Sequence, residues 1–233
     1  MNAYTHQPSP LYLGVDTGGT YTDAVLWSES TGIVAKAKSL TTRHDLAEGI
    51  AGAVDAVLSE AAIEPGAIKL VSMSTTLATN ALVEGQGGRV ALVMIGFAEA
   101  DLDRNGLSKA LGSDPVIFCP GGHDVHGDPR PLVLDALVAA LPSLADTVSG
   151  IAVASYFAVR NPEHEVAVRD VIRERTGLPV TCSHELSSKL GGPRRAMTTL
   201  LNARLISMID RLVDATEGFL ARRGIVAPLM VVR

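Results

Sequence analysis

The stretch GVDTGGTYTDAVLW, residues 14–27, constrains the fold more than any other. An apolar run ends in Asp16, crosses the Gly18-Gly19 pair and emerges as a second apolar run. Glycine lets the backbone turn tightly and approach a ligand with no side chain in the way. A carboxylate at the end of the first strand, with Thr17 and Thr20 among the glycines, suits a phosphate and metal cradle, because N–H groups in such a turn form an anion nest. A plain β-hairpin closed by a Gly-Gly turn uses the same residues. From these residues alone both readings stand.

The 233 residues are enough for one large domain or two small ones, and 47% hydrophobic residues against 19% charged ones demand a folded core. The formal net charge of -5, with no Lys/Arg cluster, argues against nucleic acid or an anionic membrane as partner. Aromatic residues at 4% leave no stacking platform for single strands. The polar N-terminus MNAYTHQPSP lacks the apolar run of a signal peptide, and no uncharged apolar run reaches the roughly 18 residues of a membrane helix. Cys119 and Cys182 are far apart, in no ligand-like spacing. The chain reads as cytoplasmic.

Periodicity gives three strands first: LYLGVD, TDAVLWSE and IVAKAKSL, the last alternating as a half-exposed strand does. A helix follows, with Asp45 as cap, Glu48 completing a capping box, and Leu46, Ile50, Val54, Val57 and Leu58 on one face. IKLVSMS reads as a strand, TTLATNALVEG as a turn into a short helix, and RVALVMIGF as a buried strand. Residues 98–130, rich in Gly, Pro and Asp, read as a hairpin or small insertion. Then come the helix PLVLDALVAALPSLAD, the strand SGIAVASYF, and a helix with Asn161 as cap, Pro162 in its first turn and Gly177 past its end. The short strand LPVTCSHEL precedes a long helix over 194–223, stopped by Gly224, and PLMVVR opens a final strand. Alternating β and α elements imply a parallel portion of sheet with helices on its faces.

Three further stretches carry candidate chemistry. In STTLATNAL, residues 74–82, a strand ends in Ser74, Thr75 and Thr76 and a helix bearing Asn80 follows. Such a helix start binds anions, and capping explains the same hydroxyls. In GGHDVHGDP, residues 121–129, His123, Asp124, His126 and Asp128 are all possible metal ligands. In a strand, however, His123 and His126 would face opposite sides, and Gly-Asp-Pro marks a turn, so a solvated hairpin is the favoured reading. In SYFAVRNPEHE, Asn161, His164 and Glu165 sit where a helix begins beyond a strand's carboxyl end. Ligands bind along that edge in open α/β sheets, and an acidic first turn also simply complements the helix dipole.

Taken in order, GVDTGGTYTDAV, STTLATNALVEG, NPEHE and RAMTTLLNARL (195–205) resemble the hydantoinase/oxoprolinase family, specifically the N-terminal part of the A-type subunit. The resemblance implies an α/β fold of the actin-like, ribonuclease H-like ATPase kind: a mixed sheet beginning with three antiparallel strands, and helices on both faces. It implies ATP and Mg²⁺ as cofactors, with Asp16, Thr17, Gly18, Gly19 and Thr20 as the phosphate-1 loop and Asp16 holding the metal through water. Asp16 and Asp23 are the implied catalytic carboxylates. Ser74, Thr75, Thr76, Asn80, Asn161, His164 and Glu165 are the substrate-cleft candidates. Family members open cyclic amides such as hydantoins and 5-oxoproline with ATP, and related members carboxylate ketones.

The sequence departs from the family where many relatives have His-Gly before Thr-Thr, and here Met73 and Ser74 stand instead. GGPRRA also replaces a stretch that is commonly acidic and aromatic. The chain ends at VVR, where relatives continue into a second actin-like half. The expected organisation is therefore a 1–225 domain, with 226–233 opening a further domain. The C-terminal half of the A-type subunit and a B-type partner subunit are the implied partners, and the chain by itself is expected to be incomplete as an enzyme. A vestigial scaffold module and a kinase of the same superfamily are the alternatives.

Overall fold

The computed structural model describes residues 9–42, 46–75 and 88–232. Asp45, Thr76 and Asn80, with the short helix expected around Asn80, lie outside the described residues. Contacts divide the chain into two compact units, residues 1–83 with 209–233, and residues 84–208.

In the first unit β1 (Leu11–Thr17), β2 (Tyr21–Ser28) and β3 (Gly32–Leu40) form the expected antiparallel meander. Helix α1 (Leu46–Ala61) crosses over, and β4 (Ile68–Thr75) returns parallel to β1. The last strand, β9 (Leu229–Val232), lies parallel to β4, so the sheet order is β3-β2-β1-β4-β9. The segment expected to open a further domain is thus the fifth strand of this sheet. Alternation decides the faces. Leu13, Val15, Ala24, Leu26, Val71 and Met73 share a core with Ile50, Val54 and Val57 of α1 and with Leu212, Phe219 and Leu220 of the last helix.

The second unit has a parallel sheet of its own, in the order β6-β5-β7-β8, rather than continuing the first sheet. Its strands are β5 (Ala91–Ile95), β6 (Val116–Cys119), β7 (Ile151–Ser155) and β8 (Val180–Cys182). Every residue of β5 and β7 is buried, as continuous apolar runs in a parallel sheet should be. Its helices are α2 (Leu107–Leu111), α3 (Asp135–Thr147), α4 (Glu163–Thr176), the one-turn α5 (Ser183–Leu186) and the start of α6 (Gly192–Arg222). One face packs on Leu137, Leu141, Val168 and Ile172, the other on Leu107, Leu111, Ala196 and Leu200. Helices therefore cover both faces.

Helix α4 starts one residue later than signalled, with Pro162 as its N-cap and Asn161 just before it. The Asn161 side chain accepts the Glu163 N–H at 3.0 Å, and Gly177, with φ +68°, closes α4. Gly224 follows α6 with φ +74°. Residues 98–130 contain a kinked 3₁₀ segment (Glu99–Gly106), α2 and β6, more structure than the hairpin expected there. Among the described residues no helix is long and apolar enough to cross a membrane.

Candidate functional site

The first unit gathers the hairpin residues. The turn between β1 and β2 is closed by Gly18 N–H donating to the Tyr21 carbonyl at 3.0 Å. Thr41 braces it, donating its hydroxyl to the Gly18 carbonyl at 2.9 Å and its N–H to the Thr20 carbonyl at 2.9 Å. A Cβ at Gly18 would stand 3.1 Å from the Tyr21 carbonyl oxygen, so a side chain there would have to push the turn apart by a few tenths of an ångström. Among the described residues the N–H groups of Gly19 and Thr20 have no partner, and the Thr17 hydroxyl is buried without one.

Strand register sets four residues in one row across the sheet. Ser74 pairs with Asp16, Asp16 with Asp23, and Asp23 with Lys38. Ser74 donates to Asp16 Oδ1 at 2.5 Å, and Lys38 Nζ lies 3.1 Å from Asp23 Oδ1. Like charges directly opposed across strands destabilise a sheet. Lys38 offsets one carboxylate of the pair, and the other stays exposed beside the glycine turn. A cation beside Asp16 would relieve this repulsion. Thr75 ends β4 opposite Thr17.

The second unit holds Asn161, His164 and Glu165 at the carboxyl edge of its sheet. Glu165 has no exposure to solvent. Its Oε1 accepts the Ser155 N–H (2.7 Å) and the Ser183 hydroxyl (2.6 Å), and its Oε2 accepts the His184 N–H (3.0 Å) and contacts His184 Nδ1 at 2.6 Å. The buried Arg195 completes the network through Ser183 Oγ (3.3 Å), the Lys189 carbonyl (2.7 Å) and the Ser155 carbonyl (2.6 Å). A carboxylate with four contacts inside a protein positions the elements that donate to it. Ser183, His184 and Arg195 were not legible as site residues. Their only signal was a lone cation, Arg195, on the apolar face of a long helix.

Glu165, Cys182 and His184 bring three metal-ligating atoms within 4.8 Å of one another. The carboxylate is already occupied, and burial, then the charges of Glu165 and Glu185, push the Cys182 thiol up to about 12. Such a set fits a hydrogen-bond network rather than a cation. Cys119 is likewise raised to about 11 by burial.

His123, expected in a solvated hairpin, is buried instead. It forms a bridge with Pro129, and its ring stacks on His164 with centroids 4.3 Å apart. The turn beyond it is as read, with Asp124 Oδ1 accepting the N–H groups of His126 and Asp128.

A five-stranded mixed sheet that opens with an antiparallel glycine hairpin is the start of an actin-like fold. Solved structures bear this out: an ATP-dependent caprolactamase from Pseudomonas jessenii (TM-score 0.70, 24% identity, 94% of this chain and 35% of that one) and a nucleotide-free acetone carboxylase (TM-score 0.62, 21% identity, 93% and 35%). The chain belongs to the hydantoinase/oxoprolinase family, whose N-terminal-region model matches residues 12–176. It is 30% identical to the acetophenone carboxylase gamma subunit of Aromatoleum aromaticum, over 96% of this chain and 35% of that protein. It is 27% identical to the caprolactamase alpha subunit of Pseudomonas jessenii, over 93% and 34%. The chain thus spans about a third of the length of these relatives.

Proposed function

We propose that this chain is the N-terminal part of an ATP-dependent enzyme that activates a cyclic amide for ring opening, with the β1–β2 hairpin as its phosphate loop. The observation that carries this reading is the row Ser74–Asp16–Asp23–Lys38 beside a turn whose Gly19 and Thr20 N–H groups are free among the described residues. Family membership and two relatives whose solved structures are described as ATP-dependent support it.

The residues present fit Mg-ATP. The Gly18–Thr20 backbone would receive phosphate oxygens, and Asp16 would hold Mg²⁺ through water, since Mg²⁺ keeps most of its hydration shell. ATP would supply a phosphoryl group to the amide oxygen, making its carbon electrophilic enough for water to attack and displace the ring nitrogen. Ser74 fixes the rotamer of Asp16 through its 2.5 Å bond, and Asp23, steadied by Lys38, orients water or substrate. Phosphoryl transfer depends mainly on such positioning and charge neutralisation. Within the second unit, Asn161 is a proposed substrate contact, and His164 and Glu165 are proposed positioning residues. The rest of an A-type subunit and a B-type partner subunit would complete the enzyme.

Titrating Mg-ATP into the folded chain by calorimetry, with Asp16→Ala alongside, tests the reading. Saturable binding that weakens at least about tenfold in the variant is expected. A folded chain that binds no Mg-ATP, or binds it equally well without Asp16, overturns the assignment.

A further inference from the structure

We propose that the second unit carries an anion site of its own, in the cavity beside the start of α6, built for the phosphate or carboxylate group of a small molecule. The inference stands apart from the hairpin reading and uses none of its residues.

The cavity has a volume of about 450 Å³, within the range of small-ligand pockets. Three cations line it, Lys189, Arg194 and Arg195, together with the polar side chains of Asn105, Ser187 and Thr198, and its lining contains no Asp or Glu. Some cations elsewhere are paired, Arg204 with Asp114 at 2.7 Å, Arg223 with Asp55 at 2.6 Å and Lys38 with Asp23 at 3.1 Å, but those lie singly rather than grouped around one cavity. Among the described residues neither Lys189 nor Arg194 has a carboxylate within ion-pair distance.

Arg195 is the element that makes this more than a basic surface. Its residue is 2% exposed, and its three nitrogens are held by Ser183, Lys189 and Ser155. Three of its five N–H donors are thereby used, and two are left. Its contact with a carboxylate is indirect, through the Ser183 hydroxyl to Glu165. Burial pulls its pKa down, partly offset by the charge of Glu165. A buried guanidinium with no directly bonded anion carries a desolvation cost that an anion in the cavity would relieve. The bond to the Lys189 carbonyl also fixes the loop that presents Lys189.

Glu165 offsets this charge only in part and lies outside the cavity lining, and the other nearby acids are engaged elsewhere. Glu165 is sealed in its network, Glu185 is engaged by Arg169 at 3.4 Å, and Asp101 accepts the Tyr156 hydroxyl at 2.9 Å and pairs with Arg104 at 3.2 Å. The location agrees with the chemistry, because Arg195 anchors on Ser155, the last residue of β7, and open α/β sheets bind ligands beyond the carboxyl ends of their strands.

The test is a ¹⁵N-resolved NMR titration of the whole chain at low ionic strength, with inorganic phosphate in one arm and acetate in the other. Saturable shifts at the amides of Ser187, Gly191 and Thr198 are expected, weakened about tenfold or more in Arg194→Glu and to a lesser degree in Lys189→Gln. Affinity should fall as sodium chloride is raised. Saturation by phosphate alone identifies a phosphate group as the ligand, and saturation by acetate identifies a carboxylate. Shifts at these amides that never saturate with either anion, or that are unchanged in Arg194→Glu, overturn the proposal. Arg194 is exposed, and a circular-dichroism spectrum of the variant matching the parent confirms that folding is not at issue. Shifts at Gly18, Gly19 and Thr20 report on the hairpin separately, so each reading can fail alone.

Discussion

Gly122 donates its N–H to His164 Nδ1 at 2.9 Å, and that single bond fixes a tautomer, because Nδ1 can accept only if the ring proton sits on Nε2. Protonation at Nδ1 would replace the acceptor with a donor facing another donor. Burial, then the neighbouring His123, lowers the His164 pKa from its ordinary 6.5, and Glu163 opposes them weakly. The folded state therefore binds fewer protons here than the unfolded chain, and stability rises with pH. The His164 contribution is fully present above pH 6.5 and is lost as pH falls through the lowered folded value. We predict that urea unfolding shows a larger loss of stability between about pH 7.5 and about pH 5.5 in the parent than in His164→Asn, whose side-chain oxygen can still accept from Gly122. Equal losses would show that His164 does not titrate on unfolding. Legibility at this scale followed chemistry. Asp16 and Asp23 stood out because carboxylates flanking a glycine turn have few structural uses. The burial of His123 was not legible, because its ring stacks on a residue 41 positions away, which no local pattern encodes.

Helix α6 was legible almost to its ends because Gly224 and a long apolar stripe bound it. The elements that were missed, α2, β6 and α5, span five, four and four residues, too few for either periodicity to register. What the stripe could not show is how tightly α6 begins. A Cβ at Gly192 would lie 3.1 Å from Phe97 Cε1 and from Tyr156 Cδ1 and Cε1. Those rings stack with centroids 4.2 Å apart, and the Tyr156 hydroxyl donates to Asp101, so neither is free to give way. Alanine normally favours a helix over glycine by roughly 1 kcal/mol. Here overpacking, typically about 1–3 kcal/mol, should outweigh it. Gly192→Ala is predicted to destabilise by about 1 kcal/mol net, measured as a lower urea midpoint with unchanged slope. Gly66→Ala, whose Cβ would meet nothing within 4 Å, should not destabilise at all. A neutral Gly192→Ala would mean that the rings yield.

Across the whole chain, the readable part of the fold was the first sheet's beginning, since three short strands in succession, joined by tight turns, can hardly pair otherwise. The division into two sheets was not readable, because buried strands such as β5 and β7 are continuous apolar runs that carry no mark of which sheet they join. Each unit has its own core, and α6 serves both, with Ala196, Leu200 and Ala203 in one and Leu212, Phe219 and Leu220 in the other. A helix draws most of its stability from the face it packs, so each half of α6 should follow the core it belongs to. Leu26→Ala in the first unit and Leu92→Ala in the second each empty a fully buried site and should cost about 2–5 kcal/mol. Amide exchange then separates the units. Leu26→Ala should weaken protection in β1–β4 and in α6 beyond Met208, leaving β5–β8 nearly unchanged, and Leu92→Ala should do the reverse. Loss of protection spread evenly over both sheets in either variant would show that the 233 residues unfold as one cooperative body, with α6 transmitting the defect between the two cores.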